Sequence, residues 1–76
     1  MKFIRTDTNS YVNTDKIIEI RVGAYQEGQD MKGIVYMYQV EAYMEGLGWT
    51  TIRDGFENEA HATRSLIKLV TDLQTE

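Results

Sequence analysis

Between Ile34 and Met44 every second residue is apolar: Ile34, Tyr36, Tyr38, Val40, Ala42 and Met44 share one parity. The other parity is mixed, with Val35, Met37, Gln39, Glu41 and Tyr43. Period two is the mark of a strand with one buried face, because successive side chains point to opposite sides of the pleat. Ile18, Ile20, Val22 and Ala24 alternate in the same way against Glu19, Arg21 and Gly23, which predicts a second strand. The polar stretch Gln26–Gly33, with Gly28 and Gly33, reads as a loop between the two. Glu45-Gly46-Leu47-Gly48 supplies a tight reversal, and Trp49–Arg53 is a further β-type run rich in Thr, Ile and Trp. Upstream, Lys2–Thr6 and Tyr11–Asn13 flank Asp7-Thr8-Asn9-Ser10, residues whose side chains bond their own backbone in turns, so a hairpin is expected there. Thr14-Asp15 marks a second bend.

From Asn58 the period changes. Ala62, Thr63, Leu66, Ile67, Leu69, Val70 and Leu73 recur at spacings of three and four, one stripe of a helix. Asn58 is the expected cap, and Glu57 and Glu59 lie where the positive end of the helix dipole favours anions. The expected fold is α+β: an antiparallel β-meander of four to five strands with one C-terminal amphipathic helix packed on one face, in a single domain over residues 1–76. A single helix covers one face of such a sheet and leaves the other to solvent or to a partner. Met37 and Tyr43 lie on the parity opposite to the core, and Tyr25 falls out of phase with Ile18–Ala24 in the same way. Trp49 and Ile52 have opposite parity, so either the last strand bulges or one of them faces outward. Tyr25, Met37, Tyr43 and Trp49 are the candidate interface residues.

Composition narrows the function classes. The chain has 76 residues and no cysteine, which removes disulfides and thiolate metal centres as sources of stability. One histidine removes multi-histidine sites. A domain this small gains from an added support, and self-association is the one left. The net charge of −4 repels nucleic acid unless a basic patch overrides it. The eight basic residues are scattered along the sequence, so no nucleic-acid partner is expected. No apolar run spans a bilayer, and the start Met1-Lys2-Phe3-Ile4-Arg5 lacks a signal-peptide core, so no membrane association and a cytoplasmic location are expected.

Candidate chemistry is sparse. Asp54, Glu57, Asn58, Glu59 and His61 form the densest polar cluster, with carboxylates and an imidazole suited to a divalent cation. Each of them also has an ordinary role at a helix start, as cap or as dipole partner. His61 lacks an orienting group for base catalysis, and Ser10 and Ser65 lie in no nucleophile motif. Gly46-Leu47-Gly48 is followed by a strand rather than a helix, unlike a dinucleotide loop. The expectation is therefore a non-enzymatic interaction or regulatory module that self-associates through its sheet, with no cofactor and no metal. The alternative is a small-ligand or divalent-metal accessory protein using the acidic helix start.

Two stretches carry a resemblance. Tyr11-Val12-Asn13-Thr14-Asp15-Lys16-Ile17-Ile18, and Asp54-Gly55-Phe56-Glu57-Asn58-Glu59-Ala60 leading into the Leu66–Leu73 stripe, resemble segments of small proteins of Gram-positive bacteria and their phages. The layout also resembles, more weakly, the short flagellar-region proteins of the FlbD type. The resemblance implies a strand-rich fold closed by a helix and carries no catalytic residue.

Overall fold

A computed structural model describes residues 2–74; Met1, where the leader reading begins, and residues 75–76 of the single-domain expectation lie outside them. The chain runs β1 (Phe3–Arg5), β2 (Tyr11–Asn13), β3 (Ile17–Asp30), β4 (Gly33–Met44), β5 (Gly48–Phe56) and α1 (Glu59–Gln74). This is an α+β fold with antiparallel sheets and a C-terminal helix. The five strands do not form one meander. β3, β4 and β5 make a three-stranded sheet in that order, and β1 and β2 make a separate two-stranded ribbon. A single 3₁₀ turn over Thr14–Lys16 separates the two sheets: the Asn13 side chain accepts from the Asp15 amide and tips the chain out of β2. The ribbon then enters the core through side chains, Ile4 and Val12, which stand opposite each other in register.

The core lies between the ribbon, one face of the three-stranded sheet and α1. Val40, Ala42 and Met44 from β4, Ile52 from β5 and Leu69 from α1 fill it, with Ile17, Ile20, Phe56, Leu66 and Leu73 packed around them. Asn58 caps α1: its Oδ1 accepts from the His61 amide at 2.9 Å, satisfying one of the free donors of the first turn. Two edges of the helical stripe, Thr63 and Ile67, project to solvent.

Three further sequence expectations change. First, Gln26–Asp30 is strand, not loop. The reversal between β3 and β4 is confined to Met31-Lys32, with the Asp30 carboxylate accepting from the Lys32 amide at 2.8 Å and Gly33 at a φ of 125° that other residues resist. Ladder hydrogen bonds belong to the backbone, so a polar segment pairs as readily as an apolar one once the turn fixes its register. Second, the alternation of β3 is offset at its start. A bulge between Ile17 and Glu19 turns Ile18 outward and gives its place over the core to Ile17. Third, the apolar parity of β4 is buried in only one half. Val40, Ala42 and Met44 are 0–1% exposed, whereas Ile34 and Tyr36 are each 51% exposed. Twelve residues of strand reach about 40 Å, whereas the sixteen residues of α1 cover about 24 Å. The far end of the hairpin therefore extends past its cover, and the molecule measures 47 × 24 × 20 Å.

Candidate interaction face

The face of the three-stranded sheet turned away from α1 carries all four predicted interface residues. Tyr25 stands opposite Met37, and Tyr43 stands opposite Trp49. The structure thus gathers them as two pairs, and a polar cluster separates the pairs. Both readings of Trp49 hold: it faces outward, and β5 bulges further on, where Ile52 and Arg53 crowd opposite Val40 so that Ile52 turns into the core.

Glu41 is the centre of that cluster. It is only 8% exposed although it lies on the outer face. Arg21 Nε donates to Glu41 Oε1 at 2.5 Å, and Gln39 Nε2 donates to Oε2 at 2.8 Å. Thr51 Oγ1 in turn donates to Gln39 Oε1 at 3.3 Å. A buried carboxylate is tolerable only when paired and hydrogen-bonded in this way. Room for it comes from Gly23, where a β-carbon would stand 2.8 Å from the carboxylate. The absence of a side chain at one position of β3 is what lets the carboxylate lie flat on the sheet.

The network has a consequence for the aromatics. The Arg21 guanidinium lies 3.7 Å from the centre of the Trp49 ring, and Tyr43 meets that ring edge-on with centroids 5.2 Å apart at 70°. Cation and ring attract through the quadrupole of the indole face, and the edge-on pair uses the same electrostatics. Tyr43 and Trp49 keep 40% of their surface exposed while both rings are held by these contacts. At the other pair, the Tyr25 hydroxyl donates to Asp54 Oδ1 at 2.6 Å. This hydrogen bond to the Asp54 carboxylate, with desolvation and nearby negative charge adding, pushes the Tyr25 phenol up to about 12.

The acidic helix start is arranged otherwise. Asp54 is engaged by Tyr25 and by the Gly55 amide, and Asn58 by the cap and, at 3.3 Å, by His61 Nδ1. Among the described residues no three His, Asp or Glu side chains converge on a point where a metal ion would sit. The hydroxyls of Thr6, Thr8 and Ser10 bond among themselves inside the β1–β2 turn. Among the described residues no helix is long and apolar enough to cross a membrane.

Parity in the sequence set Tyr25, Met37 and Tyr43 on the outer face and left Trp49 open, and it did not single out Arg21, Glu41 and Gly23. The signal was present: a glycine and a glutamate on the same parity of neighbouring strands, beside an arginine. Only the register, which sets Arg21 opposite Glu41 and Gly23 opposite Gln39, turns that composition into a site. No family model matches the chain, and no curated protein or solved structure matches it either.

Proposed function

We propose that this protein is a non-enzymatic interaction module that associates with itself through the outer face of its three-stranded sheet. The observation that carries the reading is the Tyr43–Trp49–Arg21 group, half-exposed yet fixed by the buried Glu41. Tyr, Trp and Arg dominate the binding energy of protein interfaces because they offer large contact area at small entropic cost. Side chains already immobilised lose less freedom when a partner covers them, so more of the contact energy appears as affinity. A face shared by two copies about a twofold axis is the commonest arrangement for a small chain that profits from added burial.

Trp49 is the sole tryptophan, so its emission reports on this face alone. On raising the protein concentration, the emission should shift to the blue and collisional quenching by acrylamide should fall, because a second copy removes water from the ring. Emission and quenching that stay constant from dilute to concentrated solution would remove the proposal.

A further inference from the structure

We infer that the opposite side of the molecule holds a second binding site, a cationic groove for an acidic peptide segment that carries an apolar residue. Four of the eight basic residues, scattered in sequence, come together there: Lys2, Arg5, Arg53 and Lys68. They line three adjoining hollows between the β1–β2 ribbon, β5 and α1, and Arg53 borders all three. The largest hollow, about 490 Å³, has an apolar floor of Phe3, Ile4, Leu69 and Leu73.

Three of these cations donate to neutral oxygens. Arg53 donates to the carbonyls of Arg5 at 2.6 Å and Ile52 at 3.0 Å. Arg5 donates to the Asn9 side-chain oxygen, and Lys2 Nζ to the Asp72 carbonyl at 3.3 Å. Such contacts orient a cation without cancelling its charge. Two carboxylates also border the hollows, Asp7 and Asp72. Asp7 is turned to the Asp54 amide, which its Oδ2 accepts at 2.9 Å. Cations outnumber acids two to one in the groove, on a chain whose net charge is −4. The positive field is therefore local, and it selects an acidic ligand against the acidic remainder of the surface.

The form of the groove decides the ligand class. A compact phosphate needs donors converging on one point, whereas these cations are strung along open hollows. The apolar residues between them suit a side chain such as leucine flanked by carboxylates. A nucleic-acid strand would pay repulsion from the rest of the acidic surface.

The test is fluorescence anisotropy with a labelled peptide carrying a central leucine between glutamates, added to the whole protein at low salt. Saturable binding is expected, weakening as salt is raised. Lys68→Glu and Arg5→Glu, both at exposed positions, should each weaken it about tenfold or more. Changing the peptide's leucine to serine should weaken it as well. The inference is overturned by absence of binding at low salt, by charge-reversed proteins that bind as tightly as the wild type, by indifference to the leucine, or by tighter binding of a single-stranded oligonucleotide. Because this groove and Trp49 lie on opposite sides of the sheet, Tyr43→Glu should leave peptide binding intact, which separates the outcome from that of the self-association proposal.

Discussion

The two halves of β4 have the same alternation and nearly the same apolar composition, yet they live in different surroundings. Val40, Ala42 and Met44 are sealed beneath α1 and the β1–β2 ribbon, while Ile34 and Tyr36, on the same parity, face water. Periodicity states which side chains share a face; whether that face is covered depends on the reach of the element that packs on it. The same lesson separates the two faces of the sheet. One is apolar and, over Val40, Ala42 and Met44, closed. The other is a polar hub edged by aromatics, stabilised by its own hydrogen bonds rather than by a second layer.

This contrast can be broken by substitution. The largest effect belongs to the covered half: Met44→Ala or Ile52→Ala should cost about 2–5 kcal/mol in urea or thermal unfolding, since each leaves a cavity in a small core. The matching changes in the uncovered half, Tyr36→Ser and Ile34→Thr, should stay within about 0.5 kcal/mol. Equal losses in both halves would mean that the far end of the hairpin is covered after all.

A middle-sized effect is expected on the outer face. Gly23→Val places methyl groups where the Glu41 carboxylate lies, and should cost about 1–3 kcal/mol. The same substitution should change the Trp49 emission, because Arg21 loses the partner that holds it over the indole. A Gly23→Val protein of unchanged stability and spectrum would show that Glu41 does not organise the face.

The smallest effect is a titration. The fold holds the Tyr25 phenol at about 12, above the usual value near 10 for an unfolded chain. A raised value means that the fold favours the neutral, hydrogen-bonded hydroxyl. The stabilisation is thus fully present below the unfolded value and is lost as pH climbs through the folded one. In an ultraviolet titration one of the five tyrosines should ionise last, and Tyr25→Phe should delete that step.

Much of this was legible in the chain itself. The parity of β4, the stripe and cap of α1 and the turn at Asp7–Ser10 all act within a few residues, so local chemistry announces them. The bulge at Ile18 was not legible, because Ile17 and Ile18 are equally apolar and only the pairing with Met44 chooses between them. The strand character of Gln26–Asp30 was hidden because its pairing is carried by backbone groups that composition does not display. The cationic groove was hidden for a different reason: Lys2, Arg5, Arg53 and Lys68 span nearly the whole sequence, and only the packing of the ribbon against α1 unites them.

The most direct test of the central claim is the solution mass by light scattering after size exclusion, over a wide concentration range, for the wild type and for Tyr43→Glu. A wild type whose mass rises above the 8.8 kDa of one chain toward an oligomer, beside a Tyr43→Glu protein that stays at one chain, is the predicted result. A wild type that remains at one chain at the highest concentration, or a Tyr43→Glu protein that assembles equally well, would contradict it.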